Sequence, residues 1–148
     1  MTTFVGTQSN FVDAIKDLIE LEYDAVEAYE AALNRLEAIE YKEKLSQFES
    51  DHNRHIQALT RLLENHNEQA PTGPSLAKQW ITKGKVVLAN LGGDHAILNA
   101  MNSNETDTNT AYERMQARDD KWQDAVEIIR QALEDERRHK AWFESILS

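Results

Sequence analysis

The sequence predicts an all-α protein built as a bundle of four long helices. Residues with high helix propensity, chiefly Ala, Leu, Glu, Lys, Gln and Arg, dominate the 148-residue chain, which contains only five glycines and two prolines. No segment shows the alternation of apolar and polar residues that is typical of strands. Apolar residues instead recur every three or four positions in four segments, which places them on one face of each helix.

The first two helices are bounded by polar residues and by a linker that contains proline. The first helix is predicted over 9–39, because Ser9 and Asn10 are both good N-caps for the apolar pattern that follows. The second helix is predicted over 41–66. The linker over 67–74 contains polar residues and both prolines of the chain, which indicates a break between helices.

A third helix is predicted over 75–90. Ser75 can cap its start, and Gly92 and Gly93 follow its end. A helix of this length spans about 24 Å, which is close to the length of a bundle. It can serve as a crossover that carries the chain back along the bundle, or it can pack across one end. The sequence leaves both arrangements open.

The last two helices are predicted over 94–118 and 120–147. Asp94 can cap the first of them, and a very tight turn at 119–120 separates the two. The four long helices each carry an apolar face, so we expect them to share one core. A chain of this length is expected to form a single domain.

Six ionisable side chains lie on these apolar faces, at positions where an apolar residue is expected. They are Glu22, His52, His55, Glu105, Glu136 and His139. Burying so many ionisable groups is costly unless an opposite charge compensates them. Carboxylate oxygens and imidazole nitrogens together suit iron, manganese or zinc. The pattern therefore predicts a site for one or two divalent cations in the core.

The two halves of the sequence repeat one design. The segment DHNRH at 51–55 corresponds to DERRH at 135–139, and Glu22 and Glu105 are each followed seven residues later by a tyrosine. Two similar helical hairpins are the simplest explanation. The aspartate that opens each segment can accept the free ring N–H of a histidine ligand, within its own helix or on a neighbouring one. The alternatives are an arginine partner or a solvated position.

These motifs resemble those of the ferritin-like superfamily, which includes bacterioferritin and rubrerythrin. The family pattern is one glutamate from each of two helices and a Glu-x-x-His from each of the other two, around a pair of metal ions. Glu22, Glu105 and the pair Glu136 and His139 match it. The helical connection with Trp80 further resembles that of small uncharacterised bacterial ferritin-like proteins. The resemblance implies an antiparallel four-helix bundle with a long helical crossover between its second and third long helices, and two iron ions.

One position departs from the family pattern. In the second helix the family's glutamate falls on His52, so that the six residues supply three carboxylates instead of four. Glu49, one turn earlier, is a candidate to complete the site in place of His52. Three outcomes stay open: a dinuclear site with an additional histidine, a single metal ion, or no metal, with a protonated histidine paired to carboxylates.

Three other residues have a structural interpretation beside a functional one. Tyr29 and Tyr112 are interpreted as core residues with a buried hydroxyl partner, and the alternative is that they donate hydrogen bonds next to the metals. His66 is interpreted as a positive charge that complements the end of its helix.

The resemblance implies redox chemistry at a non-haem iron pair, in which ferrous iron is oxidised, or oxygen or peroxide is reduced, for protection against stress. The alternatives are metal binding or storage without turnover, and a structural or interaction bundle with a degenerate site. The chain contains no Cys-x-x-Cys pair and so lacks the rubredoxin module of rubrerythrin. An electron donor would therefore be a separate protein. We expect a homodimer that associates through an exposed helix face.

The composition of the chain further restricts the classes of partner, cofactor and cellular location that we expect for this protein. The net charge of −10 argues against a nucleic acid or an anionic membrane as partner, because both repel a net anion. The absence of cysteine excludes disulfides, thiolate metal sites and iron–sulfur clusters. No window approaches the roughly 20 apolar residues of a membrane span, and residues 1–6 lack the features of a signal peptide. We therefore expect a cytoplasmic protein.

Overall fold

A computed structural model describes residues 3–78, 80 and 85–148 of the chain. Over these residues the secondary structure is helical throughout, without a strand, which confirms the predicted all-α class. None of the described helices is long and apolar enough to cross a membrane. The helices are α1 (Phe11–Arg35), α2 (Ile39–Asn65), α3 (Lys85–Ala89), α4 (Asp94–Ala117) and α5 (Val126–Leu147), and a short 3-10 helix (Gln123–Ala125) precedes α5.

The four long helices pack around one apolar core. Helix α1 packs against α2 and α4, and α5 packs against α4 and α2. Each long helix contributes fully buried apolar side chains, for example Leu18, Leu59, Met101 and Ile129. The three- and four-residue spacing of apolar positions therefore identified the buried faces correctly.

Helix α1 begins as the sequence predicts and ends earlier. Asn10 is its N-cap, and the Asn10 side chain accepts a hydrogen bond from the backbone N–H of Asp13 at 2.8 Å. The helix ends at Arg35 instead of residue 39, because Leu36 adopts an extended conformation with φ −64° and ψ 144°. This extended residue starts the short connection to α2.

The connection between α1 and α2 is held by Asp94. The Asp94 carboxylate accepts hydrogen bonds from the backbone N–H groups of Glu37 and Ala38, at 2.9 and 3.0 Å. The prediction that Asp94 caps its own helix is wrong, because Gly93 occupies the N-cap position and Asp94 is the first helical residue. Its carboxylate instead satisfies backbone donors that precede α2.

The predicted helix over 75–90 does not form as one element. Residues 75–78 and Trp80 are not helical, α3 covers only Lys85–Ala89, and residues 79 and 81–84 lie outside the described part of the chain. The backbone N–H of Trp80 donates to Asp24 and its indole N–H to Glu20, both at 3.2 Å. The bond to Asp24 satisfies the backbone N–H that a helix would otherwise pair at Trp80, and the indole bond adds a second contact with α1.

The connection from α2 to α4 runs along α1. Lys78 lies 3.4 Å from Asp17, near the start of α1, and Arg35 at the end of α1 donates to the carbonyl oxygen of Leu91 at 3.3 Å. Helix α3, between these two contacts, packs on α1. The contacts of the described residues of this connection thus lie along α1, from near its start to its end, and among these residues no packing across one end of the molecule is observed.

Helix α5 begins six residues later than predicted. Trp122 is extended, with φ −65° and ψ 145°, and the 3-10 helix follows before α5 starts at Val126. The Trp122 ring stacks on the ring of His66, with centroids 3.7 Å apart and an interplanar angle of 7°. His66 also bonds to Asp124 at 2.9 Å. His66 thus joins the end of α2 to the chain before α5.

The N-terminal residues lie against the C-terminal half of α4. Val5 is fully buried, and Arg114 and Arg118 bond to backbone carbonyl oxygens of this segment. Gly6 has a φ of +99°, and a Cβ atom at this position would lie 2.7 Å from the Cβ of Arg114. Position 6 therefore requires a glycine, both because φ is positive and because the backbone approaches α4 closely.

Candidate metal centre

The structure brings all six predicted site residues together in the core. One comes from α1, two from α2, one from α4 and two from α5. Their exposed fractions are 0% for Glu22, His52, Glu136 and His139, 1% for Glu105 and 4% for His55. Each lies on the buried face of its helix, because its spacing from the neighbouring apolar residues is three or four positions.

The six residues form two overlapping groups. The first group contains Glu22, His52, His55 and Glu136, and the second contains His52, Glu105, Glu136 and His139. Within each group the candidate ligand atoms all lie within 4.8 Å of one another. Each group offers two imidazole nitrogens and two carboxylate oxygens, a donor set that suits a transition metal ion. The buried groups could therefore hold metal ions.

The first group is arranged around Glu22. One carboxylate oxygen of Glu22 lies 2.9 Å from Nδ1 of His52, and the other lies 2.9 Å from Nδ1 of His55. Oε1 of Glu136 lies 3.3 Å from the same nitrogen of His52 and 3.4 Å from that of His55. All these atoms face one another in the interior, where water cannot compensate their charge.

The second group lies on the other side of His52. Nε2 of His52 is 3.2 Å from Oε1 of Glu105, so the two ring nitrogens of His52 face different groups. Nδ1 of His139 lies 3.5 Å from oxygens of both Glu105 and Glu136. His52 and Glu136 are thus shared between the groups.

Two atoms in this cluster have no hydrogen-bond partner within the described part of the chain. They are Oε1 of Glu136 and Nδ1 of His139, and both are buried. An unpaired buried polar atom is costly. Both atoms belong to the sets of candidate ligand residues, and each can offer a lone pair to a cation. The residues present therefore fit a bound metal ion.

Two aspartates outside the groups bind the outer nitrogens of two histidines. Nε2 of His55 lies 2.8 Å from Asp135, and Nε2 of His139 lies 2.8 Å from Asp51. Each pair joins α2 to α5, so the contact is made across to the neighbouring helix. Such a contact fixes the ring orientation and directs Nδ1 towards the core.

Two arginines complete the network at the surface. Arg54 bonds to Asp51 at 2.7 Å and to Asp135 at 3.0 Å, and Arg138 bonds to the same two aspartates at 2.8 and 3.0 Å. Both arginines are about half exposed, and the aspartates are mostly buried beneath them. The sequence alternatives for the aspartates, a histidine and an arginine partner, are both realised in one network.

Carboxylate neighbours raise the pKa of the histidines in the metal-free protein. Burial by itself would lower the pKa of His55, but the neighbouring carboxylates of Asp135, Glu136 and Glu22 outweigh burial and raise it to about 11. Burial likewise opposes protonation of His139, whose carboxylate partners raise its pKa to about 10. These two histidines are therefore protonated at neutral pH when no metal is bound.

His52 and Glu22 also shift each other's pKa values, because their opposite charges lie close together in the core. Burial would lower the pKa of His52, but the charges of Glu136 and Glu22 raise it well above its usual value. Burial would raise the pKa of Glu22, but the charge and hydrogen bond of His52, with those of His55, lower it to about 2. In the metal-free protein, protons on the histidines thus compensate the buried carboxylates.

The two tyrosines of the repeat are fully buried beside the carboxylates. The hydroxyl of Tyr29 donates a hydrogen bond to Glu105. The hydroxyl of Tyr112 has no hydrogen-bond partner among the residues that the structure describes. Burial raises the pKa of both hydroxyls, and the negative charges of Glu105 beside Tyr29 and of Glu22 beside Tyr112 raise it further. Both hydroxyls are therefore neutral, and that of Tyr29 serves as a hydrogen-bond donor.

Glu49 does not belong to either group of candidate ligands. Its Oε2 atom is buried without a hydrogen-bond partner among the described residues. Burial and the negative charge of Glu30 raise its pKa. His52, and not Glu49, therefore occupies the position that faces the other five residues.

Sequence reasoning gave no role to two polar residues of α4 next to the centre. The hydroxyl of Thr108 donates to Glu136 at 3.0 Å or to Glu105 at 3.2 Å. The side-chain amide of Asn109 donates to the backbone carbonyls of Glu105 and Glu136, at 2.8 and 2.9 Å. Thr108 follows Glu105 by three positions on the same helical face, which is the signal that could have identified it.

The fold and the cluster define an all-helical protein whose buried histidines and glutamates could hold metal ions. Residues 10–117 match a protein family described as Domain of unknown function (DUF2383), and the chain belongs to this family. The matched region contains α1 to α4 and ends before α5. Comparison with curated proteins and with solved structures gave no match. The description of the family gives no activity, so the function is argued from the site.

Proposed function

We propose that this protein is a ferritin-like protein, an antiparallel four-helix bundle that binds two iron ions in its core and uses them to reduce peroxide or oxygen. The residues proposed as ligands are Glu22, His52, His55, Glu105, Glu136 and His139. One observation carries the proposal. Six buried side chains from four helices form two adjacent groups of four donors, in which the shared Glu136 carboxylate could bridge two ions and His52 could bind one of them through a single ring nitrogen.

The order of the ligands along the chain supports the ferritin-like assignment. A glutamate from α1 and one from α4 each pair with a helix that carries two ligands three residues apart, which is the arrangement of ferritin-like metal sites. His52 in place of a fourth carboxylate leaves fewer negative charges to share between two ions. Imidazole nitrogen is nevertheless a good ligand for ferrous iron, and manganese and zinc suit the same donors.

Bound ferrous ions would supply electrons to a small oxidant. A peroxide molecule that gains two electrons from a pair of ferrous ions, together with two protons, leaves as two molecules of water. Asp135 and Asp51 would hold His55 and His139 in the orientation that directs Nδ1 inward, through the contacts at 2.8 Å. Tyr29 keeps Glu105 in place by a hydrogen bond.

Metal content tests the site directly. Purified protein loaded anaerobically with ferrous iron and desalted should contain two ions per chain, and a Glu22→Ala, Glu136→Ala double variant should contain almost none. The control is a Glu30→Ala, Glu134→Ala double variant, which removes two exposed carboxylates from the same helices. Full metal content in the first variant, with its helical content intact, would contradict the proposal.

Turnover is tested separately from binding. Reconstituted protein should oxidise ferrous iron and consume peroxide, and His55→Ala or His139→Ala should lose both activities. Stoichiometric metal binding without peroxide consumption would leave the second candidate function, a protein that binds metal without turnover.

The balance of charges supports a further alternative, a structural bundle without metal. Once the histidines are protonated, five cationic side chains formally face five carboxylates in the network. Such a network needs no ion to compensate it. Thermal unfolding distinguishes the two cases, because a metal that binds the folded state raises the midpoint with metal concentration and a purely structural bundle is unaffected.

The proposal includes a homodimer in the cytoplasm and a separate protein as electron donor. Ile39 and Ile146 are exposed apolar side chains on long helices, as an interface would require. The size of the protein in solution tests this part, and a monomer or dimer would also exclude storage in a large cage.

A further inference from the structure

The candidate metal centre has two halves, one around His55 and one around His139. Neighbouring side chains shield the two halves from the surface to different extents. The repeat relates His55 to His139, Ala58 to Trp142 and Phe48 to Ala132, with 84 residues between the members of each pair. Each half thus has one position on α2 and one on α5 that flank its histidine. Both positions hold aromatic residues in one half and alanines in the other.

The half that contains His139 is closed by aromatic rings. Phe48 stacks on His139, with ring centroids 4.1 Å apart and an interplanar angle of 30°. Trp142 packs edge-on against Phe48 at 5.7 Å. Phe48 and His139 are both completely buried. These rings therefore cover His139 on this side.

The half that contains His55 opens into a small cavity between α2 and α5. The cavity has a volume of about 60 Å³, which is room for a few molecules of the size of water. Its lining residues are Arg54, His55, Ala58, Leu59, Ile128, Gln131 and Ala132. Because Ala58 and Ala132 stand where the other half has tryptophan and phenylalanine, the space that those rings would fill remains open.

We propose that this cavity is the access route by which a small uncharged oxidant reaches the centre, and that the oxidant binds at the half containing His55. The inference rests on the proposed metal centre. Most of the lining is apolar, and the cavity is too small for an organic substrate. Dioxygen and hydrogen peroxide are uncharged, have two heavy atoms each and fit these dimensions. The half that contains His139 is held closed by Phe48.

Nitric oxide is a suitable probe, because it is uncharged, has two heavy atoms and binds ferrous iron. The experiment measures its association rate with ferrous-loaded protein by anaerobic stopped-flow absorbance. Ala58→Trp introduces the residue that the closed half carries, and Ala132→Leu fills the cavity with a smaller side chain. The control is Ala96→Trp, which places the same ring at a half-buried alanine on α4 that lines a different cavity.

We expect Ala58→Trp and Ala132→Leu to slow association about tenfold or more, because a filled cavity leaves no path through a close-packed interior. Their iron content and helical content should equal those of the wild type, and Ala96→Trp should bind nitric oxide at the wild-type rate. A Phe48→Ala, Trp142→Ala double variant should add a second phase of association, at the other half.

The outcomes separate this inference from the proposed function. If the wild type binds no iron, the metal centre itself is refuted, and the access route falls with it. If the wild type is loaded but both cavity-filling variants bind nitric oxide at the wild-type rate, the access route is refuted and the metal centre stands. If the Ala58→Trp variant does not fold, the Ala132→Leu variant, which adds less volume, still tests the access route.

Discussion

Zinc binding to the metal-free protein is expected to release protons from the core. At pH 7 the histidines of the first group, His52 and His55, each carry a proton that must leave before the ligating nitrogen can bind an ion. One ion in this group therefore displaces two protons. A second ion displaces one more, from His139, whose pKa is raised to about 10. Two ions should thus release about three protons per chain.

The number of protons released also determines how the affinity for zinc changes with pH. When two protons leave with each binding event, the affinity for the first ion should rise about 100-fold per pH unit. This slope should hold from about pH 7 up to the lower of the two raised pKa values in the first group, where the pKa of His55 is about 11 and that of His52 lies well above its usual value. Histidines with ordinary pKa values would be neutral over this range and would give no slope.

Calorimetry in buffers of different ionisation enthalpy measures the number of protons released. His55→Gln should reduce the release from about three protons to about two. His66→Gln, which changes a histidine outside the centre, should leave the number unchanged. Zinc binding at pH 7 without proton release would refute the reasoning, since the histidines would then be either neutral in the metal-free protein or absent from the coordination sphere.

Three further predictions concern the supports of the centre and of the fold. Asp135→Asn should weaken zinc binding about 10- to 100-fold, measured by competition with a chelator, because the ring of a histidine ligand loses its charged partner. The metal-free protein should lose stability below pH 4.5. The pKa of Glu22 is lowered to about 2, so its stabilising contribution is complete above its ordinary pKa of 4.5 and disappears as the pH falls towards 2; urea unfolding between pH 6 and pH 3 measures this loss. Gly6→Ala should destabilise the protein by about 1–3 kcal/mol, measured by urea unfolding, because φ is +99° and the added Cβ meets α4 at 2.7 Å.

Each of these predictions has a control and a contradicting result. Asp124→Asn removes a comparable histidine contact outside the centre and should not change zinc affinity. A Glu22→Gln variant should show a weaker acid dependence than the wild type, and an equal dependence would assign the effect to other carboxylates. Gly73→Ala, at a glycine with open space around it, should be almost neutral. If Gly6→Ala were equally neutral, the close contact with α4 would be wrong.

The sequence predicted the helices and the cluster because both depend on local periodicity. Spacings of three and four residues determine which face of a helix is buried, and the same spacings placed Glu22 and Glu105 on buried faces. The repeat then predicted two helical hairpins of similar design. Asn10 was identified because an N-cap depends on neighbouring residues only.

Features that depend on contacts between distant segments could not be predicted in this way. The segment 75–90 has a good helix composition, but Trp80 gives its hydrogen bonds to α1. The sequence predicted that Asp94 caps its own helix. Its carboxylate instead accepts hydrogen bonds from backbone N–H groups that precede α2. That Asp135 contacts His55 on the neighbouring helix depends on how α2 and α5 face each other, which local spacing does not determine.

The protonated histidines in the core compensate the buried carboxylates when no metal ion is bound. Because His52, His55 and His139 carry protons when no ion is present, the carboxylates around them are never left uncompensated. Under the proposed function, an ion that binds to the folded protein would displace hydrogen ions that are already in place. The acidity of the surroundings would then determine how readily the metal centre fills.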